Sequence, residues 1–476
     1  MDMRWWAVLG LAACCAPAVS AQALFGDGFE PEQIVSPITR VNGVYQLPDG
    51  PTSRRLNWLL GKLQPGQLIS DQEILDNFDS SWLQSIPLAQ TRQFIESIRN
   101  SYPGGVILDV VSLSPIRATV VIDSPGAPPP YGFMNIGVRF TAGQKITLLG
   151  VNAVGGSLMF AQDASLSMSA AADKFMTLSA NGALLAGRID GSGQCVPVQA
   201  RAADQPRATA SVFKSWILAE LGRAIAQGRV SSADNVPLVA SELAPGGLIN
   251  SEPLGTPFTV AELATLMMGN SDNTATDLLH ELLGRAGIGE VVQQTALEAP
   301  ELLLPFLNIS EQFHVFRSFD LSTALSYVDG SEAFQAQFLT DQIEPLGPQT
   351  GGAFFHSQLL TRTWQATPND ICRLFAYLRQ LPRGSEALAR VEAAFGASVA
   401  QPYVRDRWDR VWYKGGSLAS GSADNFHVLT HVWMLERAGQ EPRVLIALSN
   451  DDGGGIDAFE VQSVTARLLE LLADLP

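Results

Sequence analysis

Thr209-Ala210-Ser211-Val212-Phe213-Lys214-Ser215-Trp216-Ile217-Leu218 sets a serine and a lysine three residues apart at the head of an apolar run. On a helix the two side chains share one face, one turn apart. A serine hydroxyl attacks poorly near neutral pH unless a base takes its proton. A lysine can be that base only as the neutral amine, which burial and the positive end of a helix dipole both favour. Phe213, Trp216 and Ile217 are on hand as apolar neighbours. Ser-x-x-Lys by itself also describes an ordinary helix. This chain, however, has only five lysines, at 62, 145, 174, 214 and 414, and otherwise uses arginine. Arginine stays protonated and cannot act as a base. A lysine three residues after a serine therefore asks for a chemical explanation.

At 476 residues the chain exceeds one ordinary core and implies two domains. A formal charge of −16 argues against nucleic acid or an anionic membrane as the main partner. Residues 1–21 read as a secretory signal peptide: Arg4, an apolar stretch from Trp5 to Ala18, then Val19-Ser20-Ala21 as the cleavage site. The expected location is periplasmic or secreted. Leu11-Ala12-Ala13-Cys14 resembles a lipoprotein cleavage site, but cleavage after Ala21 is the favoured reading. No later segment reads as transmembrane. Cleavage leaves Cys195 and Cys372, either as a disulfide, which an exported compartment permits, or as two separate thiols. Few cysteines and the scattered His280, His314, His356, His427 and His431 argue against a zinc site. No metal or cofactor is expected.

Residues 22–40 are polar and irregular, an N-terminal arm. Helices are expected over Thr52–Leu63, after a capping box at Ser70-Asp71-Gln72-Glu73, and over Thr91–Arg99. Strands follow at Val106–Val111, Ile116–Ile122, Gly132–Phe140 and Lys145–Val151, giving a compact α+β domain over 41–154. Asp109 and Asp123 in it read as solvated. A second domain spans 165–476. It opens with a helix (Ala170–Met176) and two strands (Ala180–Asp190, Gln194–Arg201). It closes with strands at Val411–Lys414, Phe426–Leu435 and Val444–Ser449 and a helix over Ala458–Leu472. Between them lie the Ser211 helix, ending near Gly228, a capped helix from Thr259 to Met268, and a polar loop over 269–277. Chain ends meeting in one sheet covered by helices would make an α/β/α sandwich.

Three motifs now stand in order: Ser211-Val212-Phe213-Lys214, Ser271-Asp272-Asn273 and Lys414-Gly415-Gly416. Taken singly they read as a helix, an N-cap loop and a strand end with a turn. Together they resemble the Ser-x-x-Lys, Ser-Asp-Asn and Lys-Thr-Gly set of the penicillin-recognising serine enzymes. Residues 168–476 are similar to class A β-lactamases and related serine hydrolases, with an antiparallel sheet. Met268-Gly269-Asn270-Ser271-Asp272-Asn273-Thr274-Ala275 is close to the segment that leads into the second motif there. The resemblance implies that Ser211 is acylated and that Lys214 helps remove its proton. It implies that Ser271 relays a proton to the leaving nitrogen, and that Asn273 holds the substrate amide and orients Lys214. Lys414 would attract a substrate carboxylate and tune Ser271. The N–H groups of Ser211 and Ser417 would form the oxyanion hole.

Two departures stand out. Gly415 replaces the usual threonine or serine, which removes a hydroxyl from the carboxylate pocket. The Glu-x-x-Leu-Asn segment that supplies the deacylating glutamate is missing. Leu304-Pro305-Phe306-Leu307-Asn308-Ile309-Ser310-Glu311-Gln312-Phe313 stands in its place, with Glu311 favoured as a helix-start residue over a water activator. That stretch and the N-terminal domain make the whole mature chain resemble the two-domain serine hydrolases of the clavulanic acid biosynthetic cluster. The resemblance implies a steroid-isomerase or nuclear-transport-factor fold for 41–154. The expected activity is acyl-enzyme hydrolysis of a β-lactam or a related small amide or ester. The alternatives are an esterase or peptidase that clears β-lactams poorly, and a sensor that acylates without turnover.

Overall fold

The computed structural model describes residues 38–475 except 42–43, 128–129, 155–157, 350 and 352–354. The leader, the Cys14 alternative and the arm as far as residue 37 lie outside the described residues. The first unit packs four helices on a sheet. They are α1 (Pro51–Lys62), α2 (Asp71–Asn77), α3 (Ser80–Ser85) and α4 (Leu88–Ser101). The sheet is an antiparallel meander of β1 (Val106–Leu113), β2 (Arg117–Asp123), β3 (Tyr131–Val138) and β4 (Ile146–Val154). Alternating apolar residues on the strands and the i, i+3 stripe Leu56/Leu59 on α1 close one core, with Val120, Ile122, Met134 and Ile136 buried in it. The capping box at Ser70 and Glu73 forms as expected. The short α3 was not foreseen; Asp79 caps it with a bond from the Ser81 amide.

The second unit is built on a five-stranded antiparallel sheet. Its members are β5 (Asn181–Ile189), β6 (Cys195–Arg201), β7 (Arg410–Ala419), β8 (Phe426–Glu436) and β9 (Arg443–Asn450), in the order β7-β8-β9-β5-β6. Pairing of β9 with β5, Ile446 opposite Leu185, joins the two ends of the chain as expected. One face is covered by α5 (Met168–Met176) and α12 (Ala458–Ala473) around Phe175, Trp433 and Leu468. The other carries α6 (Lys214–Ala226), α7 (Val260–Gly269), α8 (Asn273–Leu283), α10 (Pro368–Leu378) and α11 (Glu386–Phe395), with α9 (Ile309–Arg317) further out. Helices on both faces of one antiparallel sheet make the expected α/β/α sandwich. No described helix is long and apolar enough to cross a membrane.

The sequence left the cysteines open; the structure joins Cys195, at the start of β6, to Cys372 on α10. The bond closes a loop of 177 residues. Loop-closure entropy makes a bridge of that span worth about 5 kcal/mol. Replacing both cysteines by serine should lower the urea midpoint accordingly, and an unchanged midpoint would count against the bridge.

Asp109 corrects an expectation. It is fully buried rather than solvated, and Asp123 is 5% exposed. The reason is that β1 does not end at its own sheet. Ser112 bridges antiparallel to Ser398, Leu113 N–H donates to Ala397 O (2.8 Å) and Val399 N–H to Val111 O (2.9 Å). The Asp109 carboxylate accepts from the amides of Val110 and Tyr403, and burial raises its pKa. Arg405 Nε donates to Val110 O (3.0 Å) beside it. Residues 397–405 lead straight into β7.

Candidate active site

Ser211 does not sit in the α-helix that its sequence context suggests. Ala210–Phe213 is a 3₁₀ turn, and α6 begins at Lys214. The tighter turn is fixed from both sides. Thr209 donates from its amide (3.0 Å) and its hydroxyl (2.6 Å) to Trp364 O. The Phe213 ring stacks on Trp364 at 4.1 Å. Ala210 has φ 44°, a left-handed conformation costing an alanine about 1 kcal/mol or more. The packing around it outweighs that cost and presents Ser211, half-exposed, at a cleft of about 270 Å³.

Lys214 is fully buried. Its Nζ donates to Ser271 O (2.7 Å), Asn273 Oδ1 (2.7 Å) and Ser271 Oγ (3.2 Å). Desolvation lowers its pKa to about 7, against the pull of Asp272 and Asp277. The neutral amine can keep its two hydrogens on Ser271 O and Asn273 Oδ1 and hold its lone pair free for a proton. Ser271, at φ 57°, is a second left-handed non-glycine residue, and its hydroxyl is where both lysines converge. Lys414 Nζ donates to Ser271 Oγ (3.0 Å) and to Gly415 O (2.7 Å). Burial and the neighbouring Lys214 push the Lys414 pKa well down. With one lone pair taken by the Lys414 amine, the Ser271 hydroxyl can turn its own hydrogen toward the cleft.

The expected loop over 269–277 is shorter: it covers residues 270–272, and α8 already begins at Asn273. Asp272 caps α8 through the Ala275 amide (2.8 Å) and also accepts from the amides of Leu248 (2.7 Å) and Ile249 (3.1 Å). The N-cap loop read from the sequence is there, with Asp272 as the cap, and the same carboxylate ties the second motif to its neighbouring loop. Asn273 serves Lys214, while its Nδ2 donates to Pro245 O. It is therefore turned to the lysine, and Asn270 lines the cleft with an Oδ1 that has no protein hydrogen bond.

The third motif is not a strand end with a turn. β7 runs through Gly415 and Gly416 to Ala419, with Gly415 opposite His431 and Gly416 opposite Thr430. A Cβ on Gly416 would stand 2.5 Å from Thr209 O and 2.7 Å from Ser211 N. Only glycine lets the strand pass this close to the Ser211 turn. Ser417 follows, exposed at the cleft edge.

Glu311 sits away from this group, as its structural reading expects. It completes a capping box with Asn308 at the head of α9 and pairs with Arg285 (2.5 Å). Asp277 accepts from the amides of Ile309 (2.8 Å) and Ser310 (3.0 Å) there. Among the described residues, no carboxylate lines the cleft.

Residues 197–342 match the model of the β-lactamase enzyme family, and that segment contains Ser211, Lys214, Ser271 and Asn273. No curated relative matches the sequence. Among solved structures, the chain is similar to a β-lactamase from Chitinophaga pinensis at 14% identity and TM-score 0.43, covering 64% of this chain and 97% of that one. A β-lactamase from Sphaerobacter thermophilus shows 18% identity and TM-score 0.43 over 64% and 96%. A mutant of PBP-A solved as an acyl-enzyme complex with penicillin G shows 16% identity and TM-score 0.41 over 64% and 97%.

Proposed function

We propose that this protein is an exported serine hydrolase that forms an acyl-enzyme at Ser211 with a β-lactam or a related amide or ester bearing a carboxylate. The observation that carries the reading is the convergence of Lys214 and Lys414 on the Ser271 hydroxyl, with Ser271 and Lys414 lining the cleft that holds Ser211 and with Lys214 poised near neutrality. In this reading neutral Lys214 takes the Ser211 proton as Oγ attacks the carbonyl carbon. The amides of Ser211 and Ser417 bind the oxyanion. Ser271 hands a proton to the leaving nitrogen or oxygen and is recharged by the lysines. Lys414 attracts the carboxylate. The Cys195–Cys372 disulfide and the N-terminal leader support export. The same reading takes residues 41–154 as a steroid-isomerase-like unit without chemistry of its own, supported by its helices packed on a four-stranded meander.

One observation favours slow turnover of β-lactams: among the described residues, no carboxylate lines the cleft to activate a deacylating water. An ester or peptide substrate, whose leaving group departs the site, is then the better match. The test is intact-protein mass over time with a chromogenic cephalosporin, followed by peptide mapping. We expect a persistent adduct on Ser211 with colour close to one equivalent. A transient adduct with sustained colour would make the protein a working β-lactamase. Absence of any adduct would remove the acyl-enzyme reading.

A further inference from the structure

The hydroxyl that Gly415 seemed to delete is present, supplied by another residue. A Cβ on Gly415 would lie 2.1 Å from the Tyr413 hydroxyl, so that phenol fills the space a side chain at 415 would claim. Tyr413 and Gly415 are two residues apart on β7 and share a sheet face. His431 stands directly across on β8. Tyr413 Oη and His431 Nδ1 are 2.8 Å apart, and both residues line the cleft that holds Ser211 and Lys414.

The pair has one consistent protonation pattern. Burial holds the phenol proton on Tyr413 by raising its pKa, while burial and Lys414 push the His431 pKa down to about 4. Both groups are neutral near pH 7. The phenol hydrogen has Nδ1 as its partner, so Nδ1 accepts and the imidazole proton resides on Nε2. That Nε2–H makes no hydrogen bond within the protein among the described residues. The ring cannot drift: it stacks on fully buried Trp433 at 5.5 Å and 16° and on Tyr413 at 6.0 Å and 23°. The result is a rigid, neutral donor beside Lys414, one residue across from the strand carrying the oxyanion amide.

We propose that His431, held by Tyr413, is a substrate-positioning residue whose Nε2–H donates to the carboxylate of the acyl donor bound beside Lys414. The proposal rests on the acyl-enzyme reading and names how this chain recognises its substrate class. Because Nε2 carries the hydrogen, His431 orients the anion and does not act as the missing deacylation base.

The test uses the full chain with benzylpenicillin and its methyl ester as probes. Binding is measured by calorimetry on Ser211→Ala, where no covalent step intervenes. His431→Leu should weaken benzylpenicillin by about ten- to a hundredfold, the effect of one hydrogen bond to a charged group. Binding of the methyl ester should change by no more than about threefold. His431→Gln, whose amide nitrogen reaches the Nε2 position, should recover most of the loss. Tyr413→Phe should release the tautomer, seen as a change in the His431 ¹⁵N shifts, and weaken the acid selectively. Tyr413→Phe with Gly415→Ser puts a hydroxyl back into the same space and should restore affinity. Equal weakening of both probes, no weakening, or no binding of either probe would overturn the proposal. Covalent labelling of wild-type Ser211 is scored separately, so failure of the acyl-enzyme reading shows itself on its own.

Discussion

Lys214→Met lowers the rate of acylation at Ser211 by about a thousandfold, within the range expected for losing a positioned general base. Methionine has the length to fill the same buried channel, so the fold survives. What disappears is the amine that touches both Ser271 and Asn273. The pH profile separates this from a packing defect. The neutral amine is the active form, and desolvation sets its pKa at about 7. Wild-type acylation should therefore climb as pH rises through about 7 and level off above it, and Lys214→Met should lose that limb. Rapid-quench mass spectrometry gives both rates. A variant within tenfold of wild type would take Lys214 out of the mechanism.

Gly416→Ala is the second large effect. One methyl group would have to fit 2.5 Å from Thr209 O and 2.7 Å from Ser211 N. The third close atom is Thr430 Oγ1, itself tied to Thr209 O at 2.9 Å. Nothing on that list is a flexible side-chain end, so the strand and the turn must part. Separating them pulls the Ser211 and Ser417 amides out of a common focus, and loss of one oxyanion donor costs about a hundredfold or more. We expect acylation to fall by at least that factor, with circular dichroism unchanged. A rate close to wild type would mean the oxyanion site lies elsewhere.

The motifs were legible because each has residue types that chemistry needs in a fixed order, and because lysine is so rare here. The strand-helix order was legible from period and caps, and the sheet joining both chain ends followed from it. Other features depend on long-range packing that local pattern does not encode. The tight turn under Ser211 is imposed by Trp364, over 150 residues away. The burial of Asp109 is imposed by residues 397–405. Gly415 looked like a loss because the compensating hydroxyl comes from Tyr413, on the same strand but outside the motif. Its partner could have been found. The polar stretch Ser420-Gly421-Ser422-Ala423-Asp424-Asn425 is a hairpin signal that brings β7 against β8, and the register shift between Leu418 and Ala419 then sets Gly415 against His431.

The bridge between Ser112 and Ser398 makes the first unit a splint rather than a passenger. A chain severed at residue 158 would keep every residue of the cleft. It would also strip the cover from 397–399, leaving unpaired backbone groups and the bared Arg405 a few residues upstream of the strand that carries Lys414. An exposed strand edge of that kind recruits other chains. Separating the halves would therefore first show itself as stickiness and a loosened third motif, with the nucleophile still in place. The two halves are best regarded as one unit, in which the first keeps the second's edge from meeting its neighbours.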